Sequence, residues 1–185
     1  MTEIRLTEPM TMLTDYALAA LVAAFAIRLR LRARSTLDRA AWKAFAIGST
    51  GFWWLAFGVT ALAALAGGTA HGFRLYLGDA AHARVWQLTV VLIVLSAVLT
   101  LVAAIRSVLR PSIAPGPRRK AGHRWLRRGL YLTLVGVAIQ QGGWGLHTHF
   151  NHNDLYHVVQ MVALYCLNRA ALALENLEAP DSVRA

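Results

Sequence analysis

Residues 85–105 read VWQLTVVLIVLSAVLTLVAAI and contain no charged side chain. An apolar run of about 20 residues is what an α-helix needs to cross a bilayer. Comparable runs lie on both sides of this one, in a chain of 185 residues that is 57% hydrophobic and only 15% charged. A soluble domain of this length could not bury several such runs. The composition therefore predicts an all-α protein, a polytopic bundle of transmembrane helices.

The chain divides into five apolar runs, and residues 1–185 are expected to form a single transmembrane domain. The predicted spans lie near residues 14–32, 42–66, 85–106, 128–147 and 154–174. Residues 73–84, between the second and third spans, are predicted to form a loop. Asp15 and Asp154 each begin an apolar run, which is typical of a helix N-cap.

Basic residues are concentrated between particular spans. Fourteen of the 19 lysine and arginine residues lie in residues 28–43 and 106–128. Short basic loops of membrane proteins remain in the cytoplasm, so the N-terminus is predicted outside and the C-terminus inside. This placement accounts for the net charge of +10 without nucleic acid as a partner. The expected partners are membrane lipids and other membrane protein subunits.

The compartment is predicted from composition. Arginine is far commoner than lysine and alanine is abundant, which indicates a GC-rich bacterial genome. The protein is therefore expected to be a multi-pass protein of the bacterial inner (plasma) membrane.

Histidines provide the main functional signal. The predicted topology places six of the seven histidines on the outer side, with His123 as the exception. Residues 147–157 alone, HTHFNHNDLYH, contain four of them. Asp154 and His157 are three residues apart and share a helix face, while His71 ends the second apolar run. Imidazole and carboxylate groups drawn from separate spans are typical of a catalytic metal site.

Zinc is the predicted metal, because it accepts imidazole and carboxylate ligands. The only cysteine is Cys166, which lies inside an apolar run, so no Cys-based zinc motif is possible within one chain. His71 and His157 are the leading candidate ligands because they come from different spans. Asp154 ranks third because it shares a helix face with His157, and His152 ranks fourth.

Three segments carry a resemblance to known families: TDY at 14–16, GGTAHGF at 67–73 and FNHNDLYH at 150–157. The chain resembles an uncharacterised bacterial family of small multi-span membrane proteins. More distantly, its layout is similar to the superfamily of alkaline ceramidases and adiponectin or progestin receptors. Members of that superfamily bind zinc through one histidine of an early span and a His-x-x-x-His pair of the last span. Their zinc-bound water attacks a lipid amide.

The resemblance implies particular roles for individual residues. His71 matches the early histidine, His157 matches the later member of the pair, and Asp79 matches an aspartate near the metal. Two positions depart from the pattern, since Asn153 stands in place of the other histidine of the pair and Gly67 in place of a serine. The superfamily also has seven spans rather than five.

The predicted function is a zinc-dependent membrane hydrolase of a lipid amide or ester, in which Asp79 or Asp154 transfers the proton. Two alternatives remain. The first is a haem-binding subunit with His71 and His157 as axial ligands. The second is a non-catalytic structural or accessory subunit of a membrane complex, whose interfacial histidines cap helices or contact lipid headgroups.

Overall fold

The structure, a computed structural model, describes residues 5–36, 48–109 and 117–175. These residues form five helices, and the predicted all-α class is confirmed. The helices are α1 (Pro9–Thr36), α2 (Ser49–Gly72), α3 (Arg74–Leu109), α4 (Pro117–Gly142) and α5 (His152–Glu175).

Four helices within the described ranges are long and apolar enough to cross a membrane. The candidate spans are Pro9–Arg32, Ser49–Gly72, Arg74–Leu109 and His152–Leu174. Length and composition thus support four of the five predicted spans. Helix α4, which carries the predicted span 128–147, is not among the four, so its crossing stays a prediction.

Several predicted boundaries are wrong. Helix α1 begins at Pro9, so Asp15 lies in its second turn and is not an N-cap. The loop predicted at 73–84 is helical, because its alanine-rich second half favours helix, and only Gly78 interrupts α3 with φ 65°. Helix α4 ends at Gly142 rather than near residue 147, because Gly143 takes the left-handed conformation that terminates helices. The predicted start of the second span, residues 42–47, lies outside the described residues.

Helix α1 stands at the centre of the bundle. One side of α1 packs against α2, which also packs against α3, and another side packs against α5, which also packs against α4. Glycines permit close approach at two of these contacts. Gly68 of α2 lies against the ring of Tyr16, and Gly129 of α4 lies against Leu167 of α5.

The two ends of the bundle differ in chemistry. The histidine end comprises the N-termini of α1, α3 and α5 and the C-termini of α2 and α4, and it contains residues 5–15, 69–86 and 142–157. The arginine end is the opposite one. There, Trp53 donates a hydrogen bond to Ser107 at 3.1 Å, and Arg106 lies over the ring of Phe52. These two contacts join α2 to α3.

Candidate functional site

A buried cluster of ionisable groups lies at the histidine end, between α1 and α5. The exposed fractions of Asp15, Asp154 and His157 are only 4%, 0% and 8%. Asp15 occupies the face of α1 that carries buried Leu18 and Val22, because residues three, four and seven apart share a helix face. Asp15 lies six residues after Pro9, or about 9 Å along the helix. The cluster is therefore inside the bundle rather than on its surface.

His157 connects the two helices through both ring nitrogens. Its Nε2 lies 3.2 Å from Oδ1 of Asp15, and its Nδ1 lies 3.0 Å from Oγ1 of Thr14. A hydroxyl, an imidazole and a carboxylate are thus linked in series. Such an arrangement holds a histidine in one orientation, as a general base requires.

The proton of Thr14 has three possible acceptors, of which Oδ1 of Asp154, at 3.5 Å, is the most distant. Oγ1 of Thr14 lies 3.0 Å from the carbonyl oxygen of Thr11 and 3.0 Å from Nδ1 of His157. If the hydroxyl donates to His157, Nε2–H of the imidazole donates to Asp15. If it donates to Thr11, it accepts from Nδ1–H, and the lone pair of Nε2 faces the carboxyl group. In that second arrangement a proton on Asp15, or a cation, must lie between the two atoms.

Asp154 fixes the start of α5. Its Oδ2 accepts from the backbone N–H of Asn151 at 2.9 Å, and Oδ1 of Asn151 accepts from the backbone N–H of Asn153 at 2.8 Å. The side chain of Asn151 also lies 3.3 Å from the N–H of Asp154. This reciprocal pattern is a capping box. The N-cap is therefore Asn151, and the prediction that Asp154 is the N-cap is wrong.

His71 approaches the cluster from the C-terminus of α2. Its Nδ1 lies 3.0 Å from Oε2 of Glu8, and its ring meets that of Trp86 edge-on. The backbone N–H of Thr7 donates to the carbonyl of Gly72 at 3.1 Å, which holds the chain before α1 against the end of α2. Gly67, one turn before His71 on the same helix, packs against the carboxyl group of Asp15, so α2 borders the cluster. Three helices thus contribute to one group of side chains.

Small residues of α2 bring this helix up to the cluster. A Cβ atom added to Gly67 would lie 3.2 Å from Oδ2 of Asp15 and 3.5 Å from Cγ2 of Thr89. Tyr16, beside Asp15, places its hydroxyl 3.2 Å from Oγ1 of Thr69. Because α1 and α2 approach closely, there is no room for a larger side chain between α2 and Asp15.

The cluster has no basic side chain to balance its carboxylates. Across residues 5–36, 48–109 and 117–175, the ion pairs and side-chain hydrogen bonds of Asp15 and Asp154 join them to His157, Thr14 and Asn151, and none joins them to an arginine or a lysine. Buried carboxylates need protons, hydrogen-bond donors or a cation. In the part of the chain that the structure describes, no group of three or more His, Cys, Asp and Glu side chains is close enough to hold a metal ion as it stands.

The other predicted site residues lie apart from the cluster. His152, at the first position of α5, is partly exposed, and Asp79, one residue after the kink in α3, is exposed. His147 and His149 are exposed on the turn between α4 and α5. Of the predicted set, the structure thus joins Asp154 and His157 through Thr14, and it places His71 beside Glu8 at the same end of the bundle.

Sequence reasoning missed Asp15, Thr14 and Glu8. Asp15 was interpreted as a cap because an apolar run follows it. The sequence pattern that could have identified Asp15 is its helical spacing: Thr11, Thr14 and Asp15 lie on the same helix face as Leu18, which is buried.

Comparison with known protein families gives one match, which extends over almost all of the helical part of the chain. A family of unknown function, DUF6962, matches residues 10–116 and 115–176. The chain belongs to this family. No curated protein and no solved structure matches it. The family match thus covers all five helices and leaves the function to be inferred from the cluster.

Proposed function

We propose that this DUF6962 member is a membrane-embedded hydrolase of a lipid amide or ester, and that His157 is its general base. The observation that carries the proposal is the placement of His157 between Thr14 and Asp15, with Asp154 also at Thr14 and, in the described part of the chain, no arginine or lysine paired with either carboxylate. We place the protein in the bacterial inner membrane, with the histidine end outside.

Lipid is the proposed substrate because of the depth of the cluster. Asp15 lies about 9 Å along α1 from its first residue. The polar interfacial region of a bilayer adds roughly 5–8 Å to each side of the hydrocarbon core. The ester or amide carbonyl of a lipid lies at the inner limit of that region, so it is the hydrolysable group closest to the depth of His157.

The proposed reaction is addition of water to this carbonyl carbon. The attacking water gives its proton to the hydroxyl of Thr14, which passes its own proton to Nδ1 of His157 while the oxygen–carbon bond forms, and Asp15 stabilises the resulting imidazolium. The bond between the carbonyl carbon and the leaving nitrogen or oxygen then breaks, and His157 returns the proton to the leaving group. Thr14 keeps the imidazole oriented and relays the proton between the water and His157.

Zinc is the alternative to His157 as the base: the side chains would have to move closer together to hold the ion, and His157 would then be a ligand rather than a base. Two ligands on one tetrahedral zinc ion lie about 3.3 Å apart, since zinc–ligand bonds measure about 2.0–2.1 Å, and Nε2 of His157 lies 3.2 Å from Oδ1 of Asp15. His71 would be the third ligand. Its Nδ1 contacts the carboxylate of Glu8, as zinc-bound histidines commonly do through the nitrogen that does not bind the metal. Bound zinc would lower the pKa of a water molecule and polarise the carbonyl.

The test compares His157→Gln with His149→Gln in purified protein. The probes are a fluorescent N-acyl sphingosine for amide hydrolysis and a fluorescent acyl lysophosphatidylcholine for ester hydrolysis. We expect His157→Gln to lose about a hundredfold or more in turnover, the usual contribution of a general base. His149 is the matched control because it is an exposed histidine of the same segment. A wild-type protein that hydrolyses neither probe faster than His157→Gln would refute the hydrolase.

The zinc assignment has its own test. Metal content is measured by mass spectrometry in protein purified without chelators, for the wild type, Asp15→Asn, His71→Gln and His82→Gln. The zinc alternative predicts stoichiometric zinc in the wild type and in His82→Gln and its loss in the other two. Active wild-type protein that contains no metal would contradict zinc and leave a metal-free hydrolase.

One observation favours a structural role as the alternative. Thr14, His157 and Asp154 each have partners within the protein, as a clamp between α1 and α5 requires. In that case Asp15→Leu combined with His157→Leu would retain stability, because apolar pairs of similar volume often replace buried polar pairs without loss. The haem alternative would need Nε2 of His157, which contacts Asp15, to bind iron instead.

A further inference from the structure

Three arginines share one face of α4 at the arginine end. Arg124, Arg127 and Arg128, together with Tyr131, line a shallow groove with a volume of about 410 Å³. Their spacing of three, four and seven residues places them on adjacent turns of one face. All four side chains are exposed.

This face points away from the rest of the bundle. Helix α4 contacts α5 through Gly122 and Gly129, where added Cβ atoms would meet Leu174 and Leu167. A step of two residues turns a helix by about 200°, so positions 124, 127 and 131 lie opposite the glycines. The groove therefore faces the surroundings of the protein.

The positive charge of the groove is not balanced within the described ranges. The ion pairs found there involve histidines of the other end, and none includes Arg124, Arg127 or Arg128. The guanidinium of Arg128 lies 5.2 Å from the ring centroid of Trp125, and that of Arg169 lies 5.6 Å from the same ring. These contacts with Trp125 hold the guanidinium groups of Arg128 and Arg169 in place but do not neutralise their charge.

The titration of a neighbouring residue agrees with this excess of charge. Burial, together with the positive charges of Arg119 and Arg127, holds the pKa of His123 below its ordinary value. An anion bound in the groove would oppose the effect of the two arginines.

The face continues as apolar surface along α4. Leu134 is 68% exposed and Val137 is 45% exposed, one to two turns beyond Tyr131. A cationic groove, a tyrosine and an apolar strip thus follow each other along one helix face. This order matches the phosphate, glycerol and acyl regions of a phospholipid, whereas a free phosphate ion would use the arginines alone. Guanidinium groups pair with phosphate through two parallel hydrogen bonds.

We propose that the groove formed by Arg124, Arg127, Arg128 and Tyr131 is a binding site for an anionic phospholipid, which places its phosphate among the guanidinium groups and an acyl chain along Leu134. This inference is independent of the hydrolase, since the groove lies at the opposite end of the bundle. In this proposal, α4 is the helix that binds the anionic phospholipid.

The test uses native mass spectrometry of detergent-purified protein. The probes are phosphatidylglycerol, phosphatidylcholine with the same acyl chains, and inorganic phosphate. The variant is Arg124→Gln/Arg127→Gln/Arg128→Gln, and the control is Arg28→Gln/Arg30→Gln/Arg32→Gln, which removes the same charge from the arginine end of α1. Arg124→Gln alone serves if the triple variant fails to fold.

We expect phosphatidylglycerol to bind about tenfold or more tightly than phosphatidylcholine, since only the former carries net charge. The triple variant should bind phosphatidylglycerol roughly a hundredfold more weakly and Arg124→Gln about fivefold more weakly, from the usual contribution of one basic residue at a membrane surface. The control should change by less than about threefold, since its arginines lie on another helix. Equal affinity for the two lipids, equal loss in both triple variants, or inorganic phosphate binding as tightly as the lipid would overturn the proposal.

Discussion

Replacing Gly68 by alanine tests the close contact of α1 and α2 that holds Asp15 in place. A Cβ atom at this position would lie 2.7 Å from Cε1 and 2.8 Å from Cδ1 of Tyr16, and 3.0 Å from Cβ of Asp15. Carbon atoms in contact normally lie about 3.5–4.0 Å apart, so the overlap is roughly 1 Å. The ring of Tyr16 cannot rotate away without weakening its contact with Thr69, 3.2 Å from the phenol oxygen. Helix α1 must therefore move.

The expected cost follows from two opposing terms. Overpacking of this kind costs about 1–3 kcal/mol, while alanine in place of glycine favours the helix by about 0.8–1.0 kcal/mol. Gly58→Ala, in the same helix, is the matched control because nothing lies within 4 Å of an added Cβ there. Since the helix term is common to both variants, their difference should equal the overpacking cost. For a chain of this length that difference is roughly 2–12 °C in Tm.

Thermal unfolding in detergent micelles, followed by circular dichroism, measures this difference. We expect Gly58→Ala to match or exceed the wild type and Gly68→Ala to unfold at a lower temperature. Gly68→Ala should also reduce lipid hydrolysis, because movement of α1 separates Asp15 from His157. If the two variants have the same Tm, the close approach of α1 and α2 at Tyr16 is refuted.

Two further predictions concern packing and topology. Ser107→Ala should destabilise the protein by about 1–3 kcal/mol, since it leaves the buried indole N–H of Trp53 without an acceptor, whereas Ser96→Ala, at a partly exposed position of the same helix, should leave Tm almost unchanged. In a cysteine-free background, His82→Cys should react with a membrane-impermeant maleimide added outside intact cells and Arg119→Cys should not; the opposite pattern would invert the topology.

The fold could be predicted to the level of helix number and approximate position because apolar runs mark spanning helices directly. The predicted helix boundaries are less accurate where a helix extends from an apolar run into a polar segment. Residues 79–84 lack a long apolar run, yet their alanines extend α3 back towards Arg74. The polar lead before residue 14 contains Pro9, which suits the first position of a helix, and α1 begins there.

The candidate site could be predicted only in part, because its geometry depends on which helices pack together. His71, His157 and Asp154 stand out by residue type and spacing. The contact of His157 with Asp15 requires α1 to lie against α5, which no local pattern in the sequence indicates. Glu8 reaches His71 only because the chain before α1 bonds to the end of α2.

The most direct test of the central claim is the rate of N-acyl sphingosine hydrolysis by Asp15→Asn beside Asp79→Asn. Both variants neutralise one aspartate at the histidine end, but Asp15 is buried against His157 and Asp79 is exposed. We predict that Asp15→Asn loses about a hundredfold or more in turnover and that Asp79→Asn stays within about twofold of the wild type. Equal rates in the two variants, or a larger loss in Asp79→Asn, would contradict a reaction centred on Asp15 and His157.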